Sequence, residues 1–300
     1  MTAQMDRVAD AYPTRSAPEP SFIPRAEPGV WGSADDGPLD ADTLAGFEAD
    51  GFLTVDELIT PSELETCRNE LRRLSSDEAL KADSRTVVEP NSNEVRSIFE
   101  VHKISEVFSA LVNDPRVADR ARQLLGSDVY VHQSRVNYKP GFKGKDFYWH
   151  SDFETWHAED GMPRMRAVSI SIALTENHVH NGGLMIMPGS HKTFVSCVGE
   201  TPADHYKESL KNQEIGTPDP DSLTKLAHEH GIKLFTGKAA SATMFDCNCM
   251  HGSNGNITPF PRSNVFVVFN SVENTMVEPF AAPSRRPAFI AARDFTPVPR

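Results

Sequence analysis

The chain has 300 residues, room for one large domain or two small ones, and carries 30 Lys and Arg against 42 Asp and Glu, a formal net charge of −12. That surplus of acid argues against a nucleic-acid backbone or an anionic membrane surface as partner, since both would repel it. The apolar run "VFVVF" is far too short to span a bilayer, and "MTAQMDRVADAYPTRS" lacks the apolar stretch of a signal peptide. Cysteines stand at 67, 197, 247 and 249, and the single residue between Cys247 and Cys249 is tighter than a zinc knuckle uses. They read as reduced thiols of a cytoplasmic protein.

Residues 10–40 are rich in Pro, Gly and Ala with no periodic apolar face, so residues 1–40 are expected to form an extended arm along the body or a partner subunit. Helices follow. "LDADTLAGFEADG" places Leu44 and Phe47 at helical spacing and stops at Gly51. "TPSELETCRNELRRL" opens with Thr60 as cap, Pro61 in the first turn and Glu63 three residues after the cap. "NDPRVADRARQLLG" repeats that grammar, from Asp114 and Pro115 to Gly126.

After Gly126 the period changes to two. In "VYVHQSRVNYK" Gln133, Arg135, Asn137 and Lys139 share one strand face. Further strands are expected in "RAVSISIAL" (166–174), "GLMIMP" (183–188), "ASATMFD" (240–246) and "NVFVVFNSV" (264–272). "ADHYKESLKNQ" and "PDSLTKLAHEHG" look helical and interrupt this series at about 200–232, as a mobile lid or a surface excursion. Helices first and strands after predict a mainly β fold: an antiparallel β core with flanking helices, in a single domain over 41–300.

The chemistry gathers in "FYWHSDFETWHAEDGMPRMR", residues 147–166. His150 and Asp152 are two apart, so in an extended segment they point the same way. A third ligand would complete a two-histidine, one-carboxylate face, which leaves positions of an octahedral Fe(II) open for co-substrate and O2. Alone, His-x-Asp is also what a surface histidine beside a solvated acid looks like. Downstream, "MFDCNCMHGSNGNITPFPRSN" offers His251 in a turn-like setting and Arg262 eleven residues on. An Arg fork suits the far carboxylate of a keto acid such as 2-oxoglutarate.

This spacing and "NGGLMIMPGSHK" (181–192) resemble the phytanoyl-CoA dioxygenase superfamily of Fe(II)- and 2-oxoglutarate-dependent oxygenases. "FYWHSDFETWHAEDGMPRMRAVS" is similar to the signature of its ectoine hydroxylase branch, with support over about residues 40–290 from "YPTR", "DGFLTV", "QSRVNYKPGFKGKDF" and "SNVFVVFNSVEN". The resemblance implies a double-stranded β-helix (jelly-roll or cupin-like) holding Fe(II) through His150, Asp152 and His251. It implies 2-oxoglutarate bound by Arg262, Ser253 and Lys139, and ectoine held by Gln133 between aromatic walls Trp156, Phe245 and Phe266. The implied reaction is hydroxylation of ectoine to 5-hydroxyectoine with O2, giving succinate and CO2, in osmotic-stress protection by a homodimer. Ectoine is a cyclic amidine bearing a carboxylate, and its delocalised cation suits aromatic faces.

Two other readings stay open at this level: a related oxygenase acting on another small amino-acid-like substrate, and a non-catalytic β-helix that binds a solute. His157, Glu159 and Asp160 read as a solvated or structural part of the signature loop. His178 and His180 read as surface residues, and His191 as shaping a turn.

Overall fold

The computed structural model describes residues 9–89, 93–210 and 214–300. Helices α1 (Ala41–Asp50), α2 (Pro61–Ser75), α3 (Glu78–Lys81), α4 (Val101–Ile104), α5 (Glu106–Val112) and α6 (Pro115–Leu125) occupy the first half. A single turn α7 (Asp152–Thr155), then α8 (Tyr206–Ser209) and α9 (Pro220–His230), come later. The caps carry out what the sequence spells. Thr60 and Glu63 exchange side-chain and backbone hydrogen bonds, Asp40 and Asp114 accept from first-turn amides, and Gly51 and Gly126 end α1 and α6 at φ 81° and 59°.

The strands are β1 (Phe22–Pro24), β2 (Phe52–Val55), β3 (Thr86–Val88), β4 (Val95–Phe99), β5 (Val129–Lys139), β6 (Phe147–His150), β7 (Ala167–Ala173), β8 (Leu184–Ile186), β9 (Thr193–Val195), β10 (Lys233–Leu234), β11 (Ala242–Asp246), β12 (His251–Ser253) and β13 (Arg262–Ser271). Among the described residues they form a seven-stranded sheet, β2-β11-β7-β13-β5-β4-β3, a four-stranded sheet, β10-β8-β12-β6, and the pair β1-β9, with every pairing antiparallel. This two-sheet antiparallel core is the expected jelly roll.

The two faces of the large sheet do different work. On one, Leu53, Ile98, Val136, Ile170, Ile172, Met244, Val265 and Val267 pack under α1, α2, α5 and α6 through Phe47, Leu71, Phe108, Leu124 and their neighbours. Each such side chain, fully buried, contributes about 1.5–3 kcal/mol. The other face meets the small sheet, with Phe245, Phe266 and Val268 in one apolar cluster with Ile186 and Phe235. On that inner face Gln133, Arg135, Asn137 and Lys139 lie opposite Val268, Phe266, Asn264 and Arg262. The register slips once, between Val268 and Phe269, because His132 is an extra residue in β5.

Residues 9–40 lie against this body. β1 pairs with β9, and the buried Gln123 of α6 accepts from Leu39 N (2.7 Å) and donates to the carbonyls of Ser33 (2.8 Å) and Leu39 (2.7 Å). Several elements differ from expectation. "ADHYKESLKNQ" contributes only the turn α8, and its last residues, 211–213, lie outside the described residues. Strands β2, β3 and β4 and helices α4 and α5 have no counterpart in the sequence pattern. β4 is buried at all five positions, so it shows no alternation to read. β13 starts at Arg262, two residues ahead of the strand expected over 264–272, so Arg262 is itself a strand residue. No helix among the described residues is long and apolar enough to cross a membrane.

Candidate active site

His150 ends β6 and His251 opens β12, and the two face each other across that antiparallel pair, ring centroids 4.2 Å apart. Asp152 is the first residue of α7. The expectation of one extended segment carrying His150 and Asp152 is therefore corrected: a strand-to-helix turn at Ser151 brings them to the same side. One ligand atom from each of His150, Asp152 and His251 lies within 4.8 Å of the others. The Nε2 atoms of His150 and His251 stand 3.7 and 3.9 Å from the Asp152 carboxylate.

Both imidazoles are oriented by carbonyls, which only accept. The Nδ1 of His150 donates to Tyr148 O (2.7 Å) and that of His251 to Cys249 O (3.0 Å), leaving each Nε2 lone pair toward the carboxylate. Ser169 Oγ donates to Asp152 Oδ2 at 3.2 Å. Burial, reinforced by the His150 ring, pushes His251 down to about 4, so it is neutral near pH 7. Burial resists ionisation of Asp152, but His251, His150 and Arg135 outweigh it and hold the carboxyl well below its ordinary range. Two imidazole nitrogens and one carboxylate oxygen are the donor set that suits ferrous iron with open positions, so these residues fit that ion.

Beside the triad, Lys139 and Arg262 are register partners on β5 and β13. Lys139 Nζ donates to Ser253 Oγ (2.9 Å) and Asn254 O (2.6 Å), while Arg262 Nε donates to Asn177 Oδ1 (3.1 Å). Both line a small cavity with Ser253, His150, His251 and Arg135. Lys139 and Arg262 are buried and Arg135 is half-buried, and among the described residues none has a carboxylate within ion-pair distance. Burial lowers both arginines to about 10, and burial followed by Arg262 and Arg96 lowers Lys139 to about 7. Unbalanced buried cations converging on one space make a site for an anion.

A second cavity, of about 400 Å³, opens on the other side of the triad and is lined by Gln133, Arg135, Asp152, Thr155 and Trp156. Arg286 and Ile290 of the C-terminal segment close one flank, and Ser209 and Leu210 reach over from the 200–232 insertion. Gln133 Nε2 already donates to Ile290 O at 2.7 Å, which leaves its amide oxygen for a ligand. The three expected aromatic walls do not share one cavity: Trp156 lines the large one, whereas Phe245 and Phe266, centroids 6.0 Å apart, line the small one. Arg135, Phe147 and His150 border both.

Arg135 received no role from the sequence, although the alternation that paired Gln133 with Lys139 puts it between them. Its guanidinium lies 4.5 Å from the centroid of Phe266, and its Nε has no hydrogen-bond partner. Arg286, in "PSRRP", had no signal in the sequence at all. Of the residues set aside, Glu159 and Asp160 are buried and ion-paired with Arg15 and Arg286, so they are structural rather than solvated. His157 is buried between Asp10 and Met162 O. His178 and His180 stack at the surface, and His191 is buried in its turn.

The profile of the phytanoyl-CoA dioxygenase (PhyH) family matches residues 47–264. The ectoine dioxygenase of Streptomyces coelicolor is 67% identical over 299 residues, covering 99% of this chain and 100% of its own. Two crystal structures of EctD from S. alaskensis superpose closely. The one with 2-oxoglutarate and 5-hydroxyectoine is 47% identical with a TM-score of 0.88, covering 97% of each chain, and the one with bound Fe is 47% identical with a TM-score of 0.86, covering 95% of each. The chain belongs to the phytanoyl-CoA dioxygenase family, in its ectoine dioxygenase branch.

Proposed function

We propose that the protein hydroxylates ectoine to 5-hydroxyectoine, consuming O2 and 2-oxoglutarate and releasing succinate and CO2. The observation that carries this reading is the His150–Asp152–His251 donor set standing between a cavity with unbalanced cations and a larger cavity walled by Trp156. Bound by those three side chains, ferrous iron supplies the activation of O2 that couples decarboxylation of the keto acid to insertion of oxygen into a C–H bond.

The residues divide the remaining work. Arg262 grips the outer carboxylate of 2-oxoglutarate as a charged fork, with Lys139 and Ser253 beside it. Trp156 offers a π face to the amidinium of ectoine, and Gln133 an amide oxygen to its ring N–H. Phe245 and Phe266 form the apolar floor where the two ligands approach each other. Arg135, at the junction, suits a carboxylate of the substrate. Ser209 and Leu210 exclude water from above. The 200–232 insertion thus acts as a cover, within one domain over 41–300, and residues 1–40 as an arm tied to it. The remaining parts of the reading are a cytoplasmic homodimer that makes a compatible solute against osmotic stress.

The test is incubation of the purified chain with Fe(II), 2-oxoglutarate, O2 and ectoine, with the product mass measured. Gain of one oxygen atom by ectoine, matched to succinate, is expected. Succinate release stimulated by proline and not by ectoine moves the substrate to another small amino acid. Tight binding of ectoine with no CO2 from labelled 2-oxoglutarate means a solute-binding protein.

A further inference from the structure

The signature stretch does not continue as an α-helix after Thr155. Residues Trp156–Asp160 form a π-helical turn, closed by Gly161 N donating to Trp156 O. Such turns are intrinsically poorer than α and persist where something else holds them. Here the holding group comes from the arm. Arg15, whose own backbone is left-handed at φ 55°, forks onto Glu154 with Nε at 3.0 Å and Nη2 at 2.7 Å. Its Nη1 reaches Glu159 at 2.7 Å. Glu154 and Glu159 are five residues apart, one π turn, so a single guanidinium spans that turn. Thr155 and Trp156 lie between its two anchors, and both line the large cavity, as does Glu159.

The same guanidinium engages the insertion. Arg15 Nη1 also donates to Thr201 Oγ1 at 2.9 Å, and a Cβ on Gly216 would fall 2.4 Å from Nη2. The arm is anchored around it: Arg15 N donates to Cys197 O (2.8 Å), Thr14 Oγ1 to Glu154 (2.7 Å), and Asp10 bonds His157 Nε2 (2.9 Å). A buried ion pair is poor evidence for stability as such, because desolvation offsets much of the attraction. Its geometric value is another matter: a planar fork fixes distance and orientation together.

We propose that Arg15 is a positioning residue for the substrate. By bridging Glu154 and Glu159 across the π turn it sets Trp156 at the wall of the large cavity, and through Thr201 it registers the covering insertion against that wall. The proposal takes ectoine as the substrate, and turnover of ectoine by the unaltered enzyme tests that separately.

The decisive variant is Arg15→Lys, which keeps the charge and loses the fork. With iron-loaded enzyme, the ectoine KM is expected to rise about tenfold while the 2-oxoglutarate KM, set by residues on the other side of the triad, moves less than about twofold. Calorimetric titration of ectoine into anaerobic enzyme with 2-oxoglutarate should show the same loss of affinity. Glu154→Gln should reproduce the effect, and adding it to Arg15→Lys should deepen the loss little, since both act through one contact. Arg15→Ala serves only as a stronger version, and if it does not fold, Arg15→Lys is sufficient by itself. An unchanged ectoine KM in Arg15→Lys, both KM values rising together, or a lowered melting temperature as the sole effect would overturn the proposal.

Discussion

Arg262 and Lys139 stand opposite each other at the ends of β13 and β5, buried and without a carboxylate to balance them. In the proposed reading the balance arrives with 2-oxoglutarate. Arg262→Ala should therefore raise the 2-oxoglutarate KM by about 10- to 100-fold, the weight of a charge-assisted hydrogen bond, and alter the ectoine KM far less. Steady-state kinetics with each co-substrate varied in turn decides it, and an equal effect on both would contradict the role. Lys139 adds a pH signature. Burial, then Arg262 and Arg96, lowers it to about 7, so its positive charge fades as pH rises through that value. Affinity for the dianionic keto acid should weaken over the same range in the native enzyme. Lys139→Arg, which stays charged, should flatten that profile, and a profile unchanged by this variant would remove Lys139 from the anion site.

At the scale of elements, the π turn and its exit show how much the site leans on backbone geometry. Gly161 ends the turn at φ 83°, and a Cβ there would lie 2.0 Å from Val277 O. Gly161→Ala is expected to destabilise the protein by about 1–3 kcal/mol in urea unfolding, and to weaken ectoine binding because Trp156 is in the same turn. A variant as stable as the parent would mean that the 277 segment yields freely. Legibility follows the same line between local and distant causes. α1, α2 and α6 could be read because their apolar stripes, their caps and, for α1 and α6, their stop glycines are encoded locally. β5 could be read because one face is polar and lines the site, and this put Gln133 and Lys139 on one surface. β6 runs into α7 through a turn with no Gly or Pro to announce it, so His150 and Asp152 do face together, but through a bend and not along an extended strand. Arg15 meets Glu154 across 139 residues, and Arg286 meets Asp160 across 126. Nothing local specifies such partners, and the arm's "YPTR" could be matched but not explained.

For the whole molecule, the buried charge layer behind Trp156 predicts the response to acid. His132, the extra residue of β5, packs edge-on to Trp156 with centroids 5.1 Å apart, and neither of its ring nitrogens has a hydrogen-bond partner. It is 1% exposed, and burial lowers it to about 4 against the pull of Asp160, with Arg286 and Arg293 adding to the decrease. The folded state thus keeps His132 neutral where the unfolded chain, titrating near 6.5, takes up a proton. Because the unfolded state binds more protons between those two values, stability contributed by this residue is present above about 6.5 and is lost as pH falls to about 4. The full shift corresponds to about 3 kcal/mol. Replacing His132 with leucine, similar in volume and unable to titrate, leaves no polar partner stranded and keeps contact with the indole. His132→Leu should match the parent within about 1 kcal/mol at neutral pH and exceed it by up to about 3 kcal/mol near pH 4. Urea unfolding of metal-free protein across that range measures the difference, with the iron ligands protonating alike in both chains. Parallel pH profiles would mean that Asp160 keeps His132 protonated in the fold, and that the layer behind Trp156 carries one more positive charge than the geometry assigns it.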